Sequence, residues 1–130
     1  MRVSVLSSGS KGNTTYIETD NSKILIDIGN TAKYVEEKLE EFGVDPNDLD
    51  AILITHTHVD HIGLLPRLIK EGFNGKIIAS HATAQLMKPL LYNCAFILLS
   101  EANALSFKYK RNYSPIYTEE DVATTLNYIY

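Results

Sequence analysis

The sequence predicts an α/β domain in which a layered sheet packs against helices. Short β-branched or apolar runs alternate along the chain with segments of helical periodicity. Residues 51–54 (Ala-Ile-Leu-Ile) are uniformly apolar, as expected for a strand buried on both faces. A length of 130 residues with 45% apolar side chains is sufficient for one buried core. We therefore expect a single domain over residues 1–130, without internal repeats.

Three strands are predicted at the N-terminus, at residues 3–6, 14–19 and 23–27, because Ser/Gly/Asn clusters typical of turns separate these runs. Residues 31–42 then place apolar side chains on one helical face and Lys and Glu on the other. Asn30 is predicted to be the N-cap of this helix, and Gly43 the residue that ends it.

After the strand at 51–54, the pattern predicts a short helix at about residues 64–71, closed by Gly72, and a strand at 76–79. A long helical region begins near Ala82, and Pro89 is expected to break it.

The C-terminal part is predicted to contain a loop at residues 106–115 and one more helix. Thr118 and Asp121 have the spacing of a capping box, so this final helix should begin there and extend to about Tyr128.

The run His-Thr-His-Val-Asp-His at residues 56–61, which we call the histidine motif, directly follows the buried strand. In a turn that leaves a strand, His56 and His58 can point to one side, and Asp60 and His61 toward a neighbouring position. Imidazole nitrogen and carboxylate oxygen suit zinc, with manganese or iron as alternatives. Two adjacent cations would lower the pKa of a bridging water and hold the oxygens of a phosphoester or carbonyl substrate. If these were only capping and surface residues of a turn, each of the four candidate ligands would need a separate explanation.

Asp27 lies in an Asp-x-Gly pattern at the end of a predicted strand. Such a pattern is commonly only a turn, but a carboxylate here could also orient a ligand histidine from behind. Both interpretations remain open from the sequence.

The histidine motif matches, without a gap, the His-x-His-x-Asp-His signature of the metallo-β-lactamase superfamily, which the chain resembles. The Ser-Gly-Ser-Lys-Gly-Asn turn at residues 8–13 and the Asp-Ile-Gly at 27–29 also fit the first half of that family. Within the superfamily, residues 62–66, 80–83 and 117–122 resemble the β-CASP ribonucleases, the group of the RNA 3′-end processing endonuclease.

The resemblance implies a fold of the α/β (α+β) class, an αββα sandwich of which this chain supplies the N-terminal half. It also implies cleavage of RNA phosphodiesters by a hydroxide that two zinc ions activate. His56 and His58 would ligate the first zinc, and Asp60 and His61 the second, with Asp27 supporting them. Asp60 would also be the candidate for handling the proton of the attacking water.

The family's later features have no counterpart in the sequence: a downstream histidine, a bridging aspartate, a last histidine and the β-CASP domain. The one remaining histidine, His81, is expected to be a helix cap or to face the substrate. We therefore expect a chain truncated before the later ligand motifs, with an incomplete site and an uncovered sheet face. We expect either the N-terminal piece of a longer enzyme or the product of a truncated gene, and a complementing chain or a homo-oligomer could complete the site.

Two alternatives stay open. Another hydrolase of the superfamily would act on thioesters, lactams or DNA ends. A catalytically silent fragment would bind metal weakly, and this is the expected state of the isolated chain.

Composition and charge bear on nucleic-acid binding, on the cellular compartment and on a membrane role. A net charge of −4 gives no basic excess for gripping a polyanion, so RNA binding would depend on a local patch, a metal or further sequence. A single cysteine, Cys94, and no recognisable signal segment favour the cytoplasm. The apolar run at 95–99 is far shorter than the ~20 residues of a membrane span, so no membrane role is expected. Residues 108–113 interleave basic and aromatic side chains, which could stack bases, although a solvated loop is the favoured interpretation.

Overall fold

The computed structural model describes residues 1–10 and 12–130, and for Ala32 the backbone alone. It has the predicted α/β architecture, with one mixed sheet and helices. The strands are β1 (Arg2–Ser7), β2 (Thr14–Glu18), β3 (Lys23–Ile26), β4 (Ala51–Ile54) and β5 (Lys76–Ala79). The helices are α1 (Ala32–Glu41), α2 (Val59–Ile62), α3 (Leu65–Lys70), α4 (His81–Tyr109) and α5 (Glu119–Leu126), and a 3₁₀ turn spans Pro46–Asp48.

The five strands lie side by side in chain order. Neighbours are antiparallel from β1 to β3 and parallel from β3 to β5. One row across the sheet, formed by Tyr16, Leu25, Ile52 and Ile77, is fully buried. These side chains belong to the same apolar core as buried residues of α1, α3, α4 and α5, so the helices cover this face of the sheet.

The opposite face of the sheet, which we call the open face, is also apolar but poorly covered. Its members are Val3, Val5, Ile17, Ile24, Ile26, Leu53 and Ile78. Val5 is 66% exposed and Val3 58% exposed, in keeping with the sheet face that the sequence led us to expect uncovered.

Helix α1 begins one residue later than predicted. Thr31, not Asn30, is the N-cap, because its hydroxyl accepts a hydrogen bond from the backbone N–H of Tyr34 at 3.2 Å. Asn30 instead adopts a left-handed conformation (φ +72°), and its side chain accepts from Thr31 N–H. Gly43 ends the helix as predicted, with φ +70° and its N–H donating to the carbonyl of Glu40.

The predicted break at Pro89 is wrong, because α4 runs for 29 residues through it. Met87 and Leu91, on either side of Pro89, are both fully buried, and a break between them would pull one out of the core. Proline has no N–H to donate to the carbonyl of Gln85 one turn earlier. Gln85 and Pro89 are both exposed, so water can bond that carbonyl instead. The predicted loop at 106–115 is wrong in its first part, since α4 continues to Tyr109 before Lys110 turns left-handed (φ 50°).

Helix α4 is long and apolar enough, by length and composition, to cross a membrane, and 22% of its most apolar stretch is buried in the domain. The apolar part of this helix is therefore longer than the run at residues 95–99 that the sequence analysis considered. One stripe of the helix packs into the core; its buried members are Thr83, Met87, Leu91, Ala95 and Ala102.

Helix α5 begins at the predicted capping box. Thr118 accepts from the backbone of Asp121, and the Asp121 carboxylate accepts from Thr118 N–H at 2.8 Å. Beyond α5, the chain pairs with the edge of β5, where Ile77 N–H donates to the carbonyl of Tyr128 and Tyr130 N–H donates to that of Ile77. This pairing covers part of the edge that β5 would otherwise expose.

Candidate metal centre

The candidate site lies where the parallel strands β3 and β4 end. Asp27 directly follows β3, and Thr55 and His56 follow β4, so their side chains meet at the same edge of the sheet. The chain then enters the one-turn helix α2, with His58 at its N-cap position and Asp60 and His61 within it. The sequence predicted a plain turn here.

Asp27 is the anchor of this edge. It is 5% exposed and adopts a left-handed conformation (φ 57°), which is uncommon for a residue other than glycine. Its carboxylate accepts two hydrogen bonds from Thr55, one from the backbone N–H at 2.8 Å and one from the hydroxyl at 2.7 Å. The Asp27 side chain therefore ties the end of β3 to the end of β4.

His61 is buried against Asp27. Its Nδ1 lies 2.9 Å from Asp27 Oδ2, although the two groups are not aligned as in a good hydrogen bond. The other ring nitrogen, Nε2, lies 3.4 Å from Asp60 Oδ2. Two ligands of one tetrahedral zinc, at bond lengths of about 2.0 to 2.1 Å, would be separated by about 3.3 Å. The Asp60–His61 separation fits that geometry.

His56 lies at the centre of the histidine cluster. Its ring centroid is 4.0 Å from that of His61 and 4.7 Å from that of His58. One ligand atom each of Asp27, His56 and His61 lie within 4.8 Å of one another, so these three side chains converge on one region at the sheet edge. His58 and Asp60 stand beside this group on the exposed side.

The structure thus gathers the four candidate ligands of the histidine motif and Asp27 at one edge of the sheet. His81 takes no part in the group of ligand atoms described above. It is the first residue of α4, it is exposed, and its Nε2 lies 2.9 Å from the side-chain nitrogen of Gln85. The expected capping role of His81 is therefore wrong, because Ser80 is the N-cap of α4 and its hydroxyl accepts from Thr83 N–H.

Sequence reasoning missed Thr55. Its hydroxyl lies 2.8 Å from His56 Nδ1 as well as 2.7 Å from Asp27 Oδ2, so it contacts a candidate ligand and the anchor at once. No local pattern in the sequence signalled this role, because its partner Asp27 lies 28 residues earlier in the chain.

The glycine-rich loop at residues 8–13 packs against the segment that carries Asp27. A Cβ built on Gly29 would lie 2.5 Å from the backbone of Gly12 and Asn13, so only glycine fits there. Thr14 seals the contact, since its hydroxyl bonds both the N–H and the carbonyl of Gly29. The loop is therefore a tight turn near the site, as predicted, although Lys11 lies outside the described residues.

An apolar cavity of about 370 Å³ opens beside α2. Val59 and Gly63 form one wall, and Cys94 and Tyr117 lie on the other. Burial raises the pKa of the Cys94 thiol and that of the Tyr117 phenol, whose hydroxyl is also close to Cys94. Both groups are therefore neutral at physiological pH, which agrees with a packing role for Cys94.

Known proteins of three kinds are similar in sequence to this chain. The exodeoxyribonuclease WalJ of Streptococcus pneumoniae serotype 2 is 44% identical over 94 residues, covering 70% of this chain and 34% of WalJ. The ribonuclease TTHA0252 of Thermus thermophilus is 41% identical over 70 residues, covering 53% and 16%. The transcription termination factor FttA of Methanocaldococcus jannaschii is 27% identical over 116 residues, covering 87% and 17%. The chain thus spans about a third of the length of WalJ and about a sixth of the other two.

Solved structures of metallo-β-lactamases share the fold. The Cronobacter sakazakii enzyme with a HARLDQ motif, in a mutant form, matches with a TM-score of 0.59 and 29% identity, covering 67% of this chain and 34% of that one. The Rm3 metallo-β-lactamase matches with a TM-score of 0.55 and 27% identity, covering 64% and 31%.

The resemblance found in the sequence is confirmed on two levels. The relatives include two proteins named as nucleases and one named as a transcription termination factor, in keeping with the nuclease subgroup that the motifs indicated. The family model of the metallo-β-lactamase superfamily, whose members bind metal ions, matches residues 8–126. With that match over most of its length and the histidine motif assembled at the sheet edge, the chain belongs to the metallo-β-lactamase superfamily.

Proposed function

We propose that this chain provides the first half of a zinc-dependent nuclease site that hydrolyses RNA phosphodiesters. The observation that carries the proposal is the cluster at the ends of β3 and β4, where three imidazoles and two carboxylates converge. Its support from relatives is that the similar proteins include a ribonuclease and a transcription termination factor. The activity of the whole protein is part of the proposal.

We assign the ligands in two pairs. His56 and His58 would hold one zinc, and Asp60 and His61 the other, with the buried Asp27 supporting them. The 3.4 Å separation of His61 Nε2 and Asp60 Oδ2 supports the second pair. The first pair rests on the match to the superfamily signature, because the His56 ring lies closer to His61 (4.0 Å) than to His58 (4.7 Å). Nitrogen and oxygen donors of this kind suit zinc best, with manganese or iron as alternatives.

Zinc bound here would supply a Lewis acid and lower the pKa of a water at the open side of the cluster. The chain's own residues divide the remaining work. Asp27 holds His61 in place from the protein interior at 2.9 Å. Asp60, whose side chain is 43% exposed, stands on the solvent side, where its carboxylate can take the proton of the attacking water and where a phosphodiester can approach.

The proposal of RNA as the substrate is supported by charged and aromatic side chains as well as by the relatives. The chain carries a net charge of −4, so contact with a polyanion would come from the metal site and from local basic groups. The exposed segment at residues 108–113 is one such group, where Tyr109 and Tyr113 lie 6.2 Å apart and Lys108 lies over the Tyr109 ring. A base could stack there beside a phosphate-binding lysine.

A second candidate function is hydrolysis of DNA from an end. The specific observation in its favour is the 44% identity to the exodeoxyribonuclease WalJ over 70% of this chain. DNA lacks the 2′-hydroxyl that marks RNA, but it presents the same phosphodiester to a metal-bound hydroxide.

The test begins with zinc content and affinity of the purified chain, measured beside His58→Ala, Asp60→Ala and the matched control His81→Ala. We expect zinc binding to fall in the first two variants and to be unchanged in the control, because His81 lies outside the cluster. The same samples are then given end-labelled single-stranded RNA and DNA of equal sequence. Equal zinc binding in all four proteins would contradict the ligand assignment, and zinc-dependent cleavage of DNA alone would favour the second candidate.

A further inference from the structure

We propose that Thr55 is a positioning residue that fixes the ring of His56 and links it to Asp27. The inference deepens the proposed function, because it takes His56 as a metal ligand. It concerns a residue that is not itself a ligand: the Thr55 hydroxyl lies 2.8 Å from His56 Nδ1 and 2.7 Å from Asp27 Oδ2.

The direction of both hydrogen bonds follows from the acceptor at one end. The Thr55 hydroxyl donates its single proton to Asp27 Oδ2 at 2.7 Å. Having no second proton, the same hydroxyl can only accept from His56, and Nδ1 must therefore carry hydrogen. The neutral imidazole then presents its Nε2 lone pair, which is the form that a metal ligand needs.

Asp27 thereby orients histidines of both proposed metal positions, by different routes. It contacts His61 directly, with 2.9 Å between Oδ2 and Nδ1, and it reaches His56 only through the Thr55 hydroxyl. Removing that hydroxyl should therefore loosen the position that contains His56 and leave the one that contains His61 in place.

The backbone offers a clean way to remove only this link. The N–H of Thr55 donates to Asp27 Oδ1 at 2.8 Å whatever the side chain is, so the tie between β3 and β4 survives a side-chain change. Valine has the shape of threonine without the hydroxyl, and serine keeps the hydroxyl without the methyl group. Thr57 provides a matched control, because its hydroxyl makes no hydrogen bond among the residues that the structure describes.

The experiment compares the wild-type chain with Thr55→Val, Thr55→Ser and Thr57→Val. The first readout needs no metal: long-range ¹H–¹⁵N spectra of the metal-free chain, under conditions where imidazoles are neutral, report which ring nitrogen of His56 carries hydrogen. We expect the Nδ1–H form in the wild type, Thr55→Ser and Thr57→Val, and a mixture or the other form in Thr55→Val. Circular dichroism of each variant verifies that the fold is intact.

The second readout is the affinity for zinc and for cobalt, whose visible spectrum reports coordination. We expect Thr55→Val to weaken one of two binding steps by about 10- to 100-fold, the range typical of a lost outer partner of a ligand, and Thr55→Ser to restore it. Thr57→Val should match the wild type. Wild-type tautomer and affinity in Thr55→Val would overturn the inference.

The two readouts separate this inference from the proposed function. If the wild type binds neither metal but its His56 tautomer still depends on the Thr55 hydroxyl, the role of Thr55 holds and the metal function fails. If both metals bind with the same affinity and tautomer in all four proteins, the metal function holds and the role of Thr55 fails.

Discussion

The two sides of the histidine cluster are built differently. On the anchored side, Asp27 and His61 are each 5% exposed and Thr55 is bonded to Asp27 by both its backbone and its hydroxyl. On the exposed side, His58 and Asp60 face solvent, and the one close polar contact found for their side chains among the described residues is that of Asp60 with His61. The difference shows that hydrogen bonds and burial hold one side of the cluster, while the side chains on the other side have few contacts.

The largest effect is expected beneath the anchored side, at Gly29. In Gly29→Ala, the new Cβ would lie 2.5 Å from backbone atoms of Gly12 and Asn13, which cannot move aside as a side chain could. We expect the free energy of unfolding to fall by about 3 kcal/mol, the upper part of the range for overpacking. Urea denaturation measures it. Gly43→Ala is the comparison, since its Cβ would meet nothing within 4 Å and only the left-handed φ would be strained; equal losses in both variants would contradict the close-packing argument.

Asp27→Ala should cost about 2 kcal/mol of stability, because it leaves the Thr55 backbone and the buried His61 without their partner. Alanine is also poorly suited to the left-handed φ of 57°. Asp27→Asn keeps the shape and tolerates that conformation, so it should cost less. Thermal or urea unfolding of both variants measures this, and a loss in Asp27→Ala no larger than that of an exposed residue would remove the distinction between the two sides.

Asp121, at the start of α5 and remote from the cluster, is expected to make the stability of the fold depend on pH. Burial by itself would raise the pKa of Asp121, but hydrogen bonds from Thr118 and the contact with Lys70 lower it below its ordinary value of 3.8. Because the folded pKa is depressed, this carboxylate stabilises the fold above the unfolded pKa, and the contribution disappears as the pH falls through the folded pKa. Asp121→Ala should therefore cost about 1 kcal/mol at neutral pH, as for a lost helix cap.

That difference between Asp121→Ala and the wild type should shrink toward zero as the pH is lowered below the pKa of the folded carboxyl. Urea denaturation over a pH series tests this. A difference that persisted unchanged in acid would show that packing of the side chain, not its charge and capping bonds, stabilises α5.

The smallest change in stability is expected on the exposed side. Asp60→Ala and His58→Ala should each alter the free energy of unfolding by no more than about 0.5 kcal/mol without metal, because exposed residues with few partners contribute little. Both should nevertheless lose zinc. Metal-free unfolding curves beside zinc titrations test this pair of statements, and a large loss of stability without metal would place these residues with the anchored side.

The strands at 51–54 and 76–79 were predictable to the residue. Residues 51–54 form a short, fully apolar run, which is typical of a buried strand. Residues 76–79 form a short apolar run after a lysine, directly beyond a Gly-containing turn. Pro89 was not, since local preference predicts a break while burial of Met87 and Leu91 on one stripe of α4 outweighs it. The cap of α1 was missed by one residue because Asn30 and Thr31 both favour that position, and the left-handed turn at Asn30 decides between them.

For the site, the sequence could name the ligand types because four of them lie within one hexapeptide. It could not show which of them are buried, because burial depends on how α2 packs against the end of β3. The role of Thr55 depends on a partner 28 residues earlier, and no local pattern carries such a pairing.

That separation of 28 residues also makes the cluster a marker of folding order. Every candidate ligand of the histidine motif is present in the newly made chain, but Asp27 joins them only after β3 and β4 have paired across the segment that contains α1. Closing such a loop costs conformational entropy before the contacts that compensate for it have formed. Long-range strand pairing of this kind is therefore slow. During refolding, metal capture in its final geometry should therefore follow the formation of helical signal, and the delay between the two would time the parallel pairing at the centre of the sheet.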